Sequence, residues 1–273
     1  ESGFLYIVGT PIGNLNDLSY RAINILSKVD LIACEDTRQT KKIMSKFEFT
    51  NKVFSFNKFN SFNKIPKIIH DLKSGKTIAL VSDAGMPSIC DPGEELVKET
   101  RSNGINTICI PGPCAALTAL VSSGLPASKF IFEGFLPKKK SDRENLLIEI
   151  SQNEKTTILF EAPHRLKKLL TDLKFYCGGE RIIHISRELT KKFEENINTD
   201  INNAIKLFEN REAIGEFTLI IKGKYKSKDI KFDKISLKND LHELVNAGLS
   251  LSSAAKYLAK KRNVPKNTIY KLY

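Results

Sequence analysis

The sequence predicts an α/β protein. Three observations lead there. Apolar runs of four or five residues recur along the chain, with stretches of helical spacing between them. Several of these runs break straight into loops of Gly, Pro and Asp, as strands of a parallel sheet do where their far ends carry ligand loops. The 273 residues, 41% apolar, are enough to bury a core in one large or two medium domains.

Phe4-Leu-Tyr-Ile-Val8 reads as the first strand, followed by Gly9-Thr-Pro-Ile-Gly-Asn14. The glycines allow close backbone approach and Pro11 stiffens the loop. It matches neither a Walker loop nor a GxGxxG fingerprint, so no phosphate cradle is expected. Leu18, Ala22, Ile25 and Leu26 predict a helix over 18–28, and Leu31-Ile-Ala-Cys34 the next strand. Glu35-Asp-Thr-Arg38 then sets two carboxylates, a hydroxyl and a guanidinium after a buried strand. These serve function, or Asp36 or Thr37 caps the helix through Ile43 and Met44, and both roles can coexist. A strand near Val53–Phe56, a loop with Asn57, Asn60 and Asn63, and a helix through Ile65, Ile68, Ile69 and Leu72 follow.

The centre of the chain is Thr77–Gly93. Thr77 to Val81 reads as a buried strand, which breaks into Ser82-Asp-Ala-Gly-Met-Pro-Ser-Ile-Cys-Asp-Pro-Gly93 before a helix starts at Glu94. This is either a ligand loop or a tight turn before a capped helix. Thr107–Ile110 repeats the pattern with Pro111-Gly-Pro-Cys-Ala-Ala116. The small residues Ala115, Ala116 and Ala119 suit a planar ligand or close packing of helix on sheet.

Gly124–Ser128 is expected to be an interdomain linker. Beyond it, Phe130–Leu136, Thr156–Phe160, Arg181–Ile185 and Gly215–Gly223 read as strands. A basic, helix-prone segment runs to Ile150, and Leu166, Leu169, Leu170 and Leu173 mark a helix after Glu161-Ala-Pro-His-Arg165. Lys224–Lys238 reads as a lysine-rich linker. Three short helical patterns follow: Leu241, Leu244 and Val245; Ala254, Ala255 and Leu258, capped by Ser250 or Ser252; and Ile269, Tyr270 and Leu272, opened by Pro265. Their spacing, with Val264, is like a helix-turn-helix, decorated by Lys256, Lys260, Lys261, Arg262, Lys266 and Lys271.

The net charge is +12, and residues 222–273 hold 13 Lys/Arg against 4 Asp/Glu. Nucleic acid is the favoured partner, ahead of a merely lysine-rich background or a tail that packs on its own chain or a partner subunit. The five Cys form no CxxC pair and the four His show no ligand spacing, so reduced thiols in the cytoplasm and no zinc site are expected. Cys34 and Cys109, in strand-like runs, are expected to act as small hydrophobes. No run reaches the ~18 apolar residues of a membrane span, and Glu1-Ser2 reads as a trimmed or engineered end rather than a signal peptide.

Eight motifs occur in one order: GTPIGNL (9–15), EDTR (35–38), VSDAGMPSICDPG (81–93), PGPCAAL (111–117), SGLP (123–126), FEGFLPKK (132–139), FEAPHR (160–165) and SRELTKKFEE (186–195). Together they resemble the ribosomal RNA small subunit methyltransferase I family of the tetrapyrrole methylase superfamily, over about residues 4–223. The resemblance implies α/β domains at 1–124 and 125–223, with a basic, helix-turn-helix-like extension at 224–273. It implies S-adenosylmethionine (SAM) bound in the cleft, a homodimer, and 2′-O-methylation of a cytidine ribose in the decoding region of 16S rRNA on the 30S subunit. No metal and no membrane are implied. Mapped onto this chain, the cofactor residues are Pro11, Asp83, Ala84, Gly85, Ile89, Cys114, Ala115, Phe160, Glu161, Leu189 and Thr218.

Glu35, Asp36, Arg38, Glu188 and Lys191 are the polar groups nominated for the chemistry, each equally a candidate cap or salt bridge. Arg165 and Arg187 are nominated for RNA phosphates. Relatives usually carry Thr at Met86, Ser at Cys90, a His pair at Asn57 and Phe59, and Tyr-Glu-Ser at Phe160-Glu-Ala. Two other readings stand beside this one: a methyltransferase acting on a tetrapyrrole, and a non-catalytic RNA-binding assembly factor.

Overall fold

The computed structural model describes residues 2–224, 234–262, 266–270 and 272–273. The chain divides into two compact units, Glu1–Lys224 and Tyr225–Tyr273.

The larger unit holds two five-stranded sheets. In the first, β1 (Phe4–Val8), β2 (Leu31–Cys34), β3 (Lys52–Ser55), β4 (Ile78–Val81) and β5 (Asn106–Ile110) lie in the order β3-β2-β4-β1-β5, all parallel. Parallel pairing needs crossovers, and helices supply them: α1 (Tyr20–Lys28), α2 (Thr37–Lys46), α3 (Ser61–Lys73) and α4 (Glu94–Ser102). Side chains alternate between the faces of a strand. Ala79 and Val81 therefore join Leu26, Ile43 and Met44 on one face, while Ile78 and Leu80 join Ile68, Leu72 and Leu96 on the other.

The second sheet comprises β6 (Phe130–Phe135), β7 (Thr156–Glu161), β8 (Ile182–Arg187), β9 (Glu195–Asp200) and β10 (Phe217–Ile221), in the order β6-β7-β10-β8-β9. Only β6 and β7 pair in parallel; the last strand, β10, runs antiparallel between β7 and β8. Helices α6 (Lys140–Gln152), α7 (Pro163–Cys177) and α8 (Ile201–Glu209) cover one face through Leu147, Leu166, Leu170 and Phe208. The other face is covered by α5 (Ala115–Ser123), the helix that leaves β5: Ala116, Ala119 and Leu120 pack on Ile158 and Ile220. Ala116 and Ala119 thus serve helix-on-sheet packing.

The smaller unit contains α9 (Lys234–Asn246), α10 (Leu251–Arg262) and α11 (Lys266–Tyr270) around its own core of Leu237, Leu241, Ala254, Ala255, Leu258 and Ile269. Ser250 Oγ accepts from the Ser253 N–H at the start of α10.

Several expectations need correction. Strand β9 and helix α8 lie outside the elements read from the sequence. Their apolar residues, Ile197, Ile201, Ala204 and Phe208, are diluted among Asn, Asp and Glu because β9 is an edge strand and α8 has one buried face. The linker expected over Lys224–Lys238 ends in helix, since α9 begins at Lys234. Cys109 is exposed on the edge strand β5, whereas Cys34 is buried. Val264, Pro265, Lys271 and most of the expected linker lie outside the described residues.

Candidate active site

The carboxyl ends of β1, β2, β4 and β5 put four loops side by side, and hydrogen bonds join them. Thr10 N–H donates to the Gly85 carbonyl (2.9 Å) and Gly85 N–H returns to the Thr10 carbonyl (3.0 Å). The buried Thr10 hydroxyl donates to the Ser82 carbonyl at 3.1 Å. Asp83 Oδ1 accepts from the Asp36 N–H at 2.9 Å, tying the loop after β2 to the loop after β4. Gly9 and Gly112 touch backbone to backbone, a separation that leaves no room for a Cβ on either.

Of the cavities that open on these loops, two hold the expected site residues. The first, of about 390 Å³, is walled by Ile12, Ala84–Met86, Ile89–Asp91, Cys114, Ala115, Phe135, Phe160–Pro163 and Glu216–Thr218. The second, of about 570 Å³, is lined by Pro11, Ile12, Gly13, Gln39, Lys42, Asp83, Ala84, Lys191 and Glu216 among others. Ile12, Ala84 and Glu216 belong to both walls. The backbone is strained around them. Ser88 (φ 70°) and Cys90 (φ 64°) in the loop after β4, and Glu188 (φ 51°) and Thr190 (φ 67°) after β8, take the left-handed conformation. A non-glycine residue held there costs on the order of 1 kcal/mol or more, and such costs concentrate at ligand sites.

The expected cofactor residues fall into three groups. Ala84, Gly85, Ile89, Cys114, Ala115, Phe160, Glu161 and Thr218 line the first cavity, while Pro11 and Asp83 line the second. Leu189 is buried behind the wall with Ile12 and Leu120. The Glu161 carboxylate is fully buried: Oε1 accepts from Ala162 N–H (3.0 Å) and faces Arg165 Nε (3.3 Å), and Oε2 lies 3.9 Å from Arg143 Nη1. Arg143, itself buried, also grips Asp172 (Nη2–Oδ2 2.8 Å).

The nominated polar groups do different things. Lys191 Nζ stands between Glu188 Oε1 (2.9 Å) and Glu216 Oε2 (3.0 Å) on the second cavity. Burial opposes the charge on Glu188, but the Lys191 ammonium and the Glu216 N–H together hold its carboxyl below the usual range. Asp36 caps α2 through the Arg38 N–H, and the Arg38 guanidinium folds back onto it (Nη2–Oδ2 2.6 Å). These bonds take the Asp36 pKa down to about 2. Neither residue lines either cavity, and the Arg38 side chain is 86% exposed. Glu35 is half-buried, and burial first, then the charges of Asp91 and Asp83, pushes its carboxyl up. Burial also raises Asp83 and Asp91.

Arg165 and Arg187 do not present free guanidinium groups. Arg165 bonds the Leu136 carbonyl (2.9 Å) and faces Glu161, and Arg187 bonds the Ile214 carbonyl (2.7 Å) and pairs with Glu195. Each arginine is held by a carbonyl and a carboxylate of its own chain. The sequence reading also passed over Ile12, Asp91, Phe135, Glu216 and Phe217. Asp91 sits inside a quoted motif, and Glu216 stands directly before a strand, so position gave a signal for both. Ile12 and Phe135 also lie inside quoted motifs, whereas Phe217 gave no signal, being indistinguishable from a core residue.

Among the described residues no Lys, Arg or His lines the first cavity, whereas Asp91, Glu161 and Glu216 do. Burial is the main cause that raises the carboxyls of Glu35, Asp83 and Asp91, and neighbouring carboxylates add to it: Asp91 and Asp83 on Glu35, Asp83 on Asp91 and Asp36 on Asp83. Apolar and aromatic walls with these carboxyls suit a flat, cationic small molecule. Gly85, at φ 81°, keeps the wall low: a Cβ there would meet Ile12 at 3.4 Å and the Pro113 carbonyl at 3.5 Å. Among the described residues no three His, Cys, Asp or Glu are grouped to hold a metal ion, and no helix is long and apolar enough to cross a membrane.

Comparison with known proteins adds the following. The family model described as Tetrapyrrole (Corrin/Porphyrin) Methylases matches residues 4–204. A protein of Synechocystis sp. named ribosomal RNA small subunit methyltransferase I is 43% identical over 99% of this chain and 97% of its own. A protein of the same name from Halalkalibacterium halodurans is 42% identical over 100% and 95%. Among solved structures, the methyltransferase CobJ has the same fold, with a TM-score of 0.63 at 16% identity over 81% of this chain and 95% of that one.

Proposed function

Since the chain belongs to the tetrapyrrole methylase family, and within it to the ribosomal RNA small subunit methyltransferase I family, we propose that it methylates 16S rRNA with SAM. The acceptor is the 2′-hydroxyl of a cytidine ribose in the decoding region, on the 30S subunit in the cytoplasm. The observation that carries this reading is the first cavity: apolar, lined by no cationic side chain among the described residues, and next to the carboxyls of Glu35, Asp83 and Asp91, which burial and neighbouring carboxylates raise. It fits SAM, whose sulfonium and ammonium are cationic and whose adenine is flat.

Ile12, Ile89, Phe135, Phe160 and Phe217 exclude water and hold the cofactor's flat part, with Ala84, Gly85, Cys114 and Ala115 allowing backbone approach. Asp91, Glu35 and Asp83 maintain a negative potential. Bound there, SAM supplies a methyl group activated by positive sulfur. The acceptor ribose enters the second cavity. Lys191, fixed between Glu188 and Glu216, places a cation where the ribose oxygen becomes negative. Positioning supplies most of the rest. Asp36, paired with Arg38, caps α2, whose Gln39, Lys42 and Ile43 line the second cavity.

We assign residues 1–124 and 125–223 to the two walls of the site and 224–273 to RNA binding. The basic charge of the last segment supports that assignment. A homodimer is part of the reading. An open apolar groove beside β5, lined by Ile7, Val97, Cys109 and Leu117, supports it.

The test is incubation with methyl-labelled SAM and 30S subunits lacking the modification. Label is expected on 16S rRNA, at one ribose. Label on uroporphyrinogen but not on rRNA would overturn the proposal. Calorimetric titration separates a non-catalytic assembly factor, which gives no heat with SAM.

A further inference from the structure

Phe59 and Phe62 are among the most exposed apolar side chains described, at 97% and 88%. Phe59 lies in the loop between β3 and α3, and Phe62 in the first turn of α3. Single exposed aromatics need no explanation; two, three residues apart on one rigid turn, do.

The turn is held from within. Asn57 Oδ1 accepts from the N–H groups of Phe59 (3.0 Å) and Asn60 (3.2 Å). Asn60 Oδ1 accepts from Asn57 N–H (2.9 Å), and both amides donate to Ser55 Oγ (3.2 Å each). Both rings are therefore presented to water by a backbone already fixed, which lowers the entropy lost on binding.

The charge around them has one sign. Residues 49–70 contain four Lys and no Asp or Glu. Lys64 is spent internally, on the Ser55 carbonyl and over the Phe54 ring, while Lys67 is exposed. The turn also borders the site. Lys58 is close enough to act on Glu35, Cys90 and Asp91, and the last two line the first cavity.

We propose that Phe59 and Phe62 form a stacking platform for unpaired RNA bases flanking the site on the side of Cys90 and Asp91, with Lys58 and Lys67 near the phosphates. This rests on the rRNA reading above and names a surface that reads the single strand. Aromatic rings take any base on their π-face, and the flanking lysines supply the countercharge.

The chain has no Trp, so Phe59→Trp installs a lone fluorescent reporter that can still stack. Its emission is expected to be quenched by an unstructured oligoribonucleotide, with catalysis on 30S subunits retained. The double variant Phe59→Ala/Phe62→Ala should raise KM for 30S subunits roughly ten- to a hundredfold. It should leave kcat and calorimetric SAM affinity unchanged, and melt like the parent because both rings are exposed. The salt dependence of subunit binding should keep its slope, because no phosphate contact is removed. An unchanged KM, or no quenching, overturns the platform. So does a double variant that loses self-association in sedimentation while binding RNA as before, which assigns the rings to a second copy of the chain. If the parent leaves 30S subunits unlabelled but RNA still quenches Phe59→Trp, the activity reading fails and the platform stands.

Discussion

Gly9→Ala probes the point where the loops after β1 and β5 meet. A Cβ on Gly9 would stand 2.7 Å from Gly112 Cα and 2.6 Å from Met86 Sδ. The methionine sulfur can swing aside, but the Gly112 backbone cannot. Carbon atoms pack at about 3.5–4.0 Å, so the two loops must part by roughly 1 Å. Gly9 is not among the positive-φ glycines, so the cost is steric alone. Overpacking of this kind costs about 1–3 kcal/mol. The same loops carry Ile12 on one side and Cys114 and Ala115 on the other, all on the first cavity. SAM affinity should therefore fall roughly tenfold, equivalent to ~1.4 kcal/mol. Urea unfolding measures the first effect and calorimetric titration the second. Gly104→Ala is the control. Gly104 has φ 68° with nothing within 4 Å, and it precedes β5, at the amino end of the strands, opposite the loops of the site. It should lose about 1 kcal/mol for backbone conformation and keep full SAM affinity. If Gly9→Ala is no less stable than that control and binds SAM as tightly as the parent, the close-approach argument is wrong.

Arg143→Met leaves Asp172 without its guanidinium and Glu161 with Arg165 alone, and should cost about 3–5 kcal/mol in denaturant melts. Glu35→Gln should raise the melting temperature at neutral pH. Burial and neighbouring carboxylates hold that carboxyl above its ordinary value, so its charge is unfavourable once the pH exceeds the folded pKa. The gain should fade as the pH falls through that pKa and the parent takes up its proton. Asp36 runs the other way: its contribution is present above the ordinary Asp range and is lost as the pH falls toward about 2, which a carboxyl NMR titration follows. Deleting residues 230–273 should weaken 30S binding and its salt dependence in filter assays, while SAM affinity stays nearly constant, since α9–α11 carry their own core. Equal loss of both would make that segment structural.

The fold was legible wherever periodicity was clean. The buried strands β1, β2 and β4 are unbroken apolar runs, and parallel strands buried on both faces must be. Edge strand β9 defeated the same test, because one exposed face fills its sequence with Asn, Glu and Asp. The lattice of Thr10, Ser82 and Gly85 was foreshadowed by Gly and Pro after each strand, but which loops would touch depends on strand order. That order, β3-β2-β4-β1-β5, leaves no local trace. Charged residues were the hardest to judge. Arg38 is committed to Asp36, two residues away, while Arg165 and Arg187, which look alike as letters, are each committed to a carbonyl, of Leu136 or Ile214, that only the fold brings near. Glu216 went unread for the same reason: its interest lies in Lys191, 25 residues away in sequence.

The placement of β10 bears on the order in which the protein assembles during synthesis. The first sheet is complete once Ile110 has left the ribosome. The second lacks its centre until Phe217–Ile221 emerges, because β10 is the strand that joins β7 to β8. Until then β7 and β8 each expose an unpaired edge, and α5 has only part of the surface it covers. At the translation rate of roughly 5–20 residues per second, a half-finished sheet waits some seconds for its last strand. A nascent chain halted before β10 should therefore be cut readily by protease at residues 125–210 and resist within β1–β5.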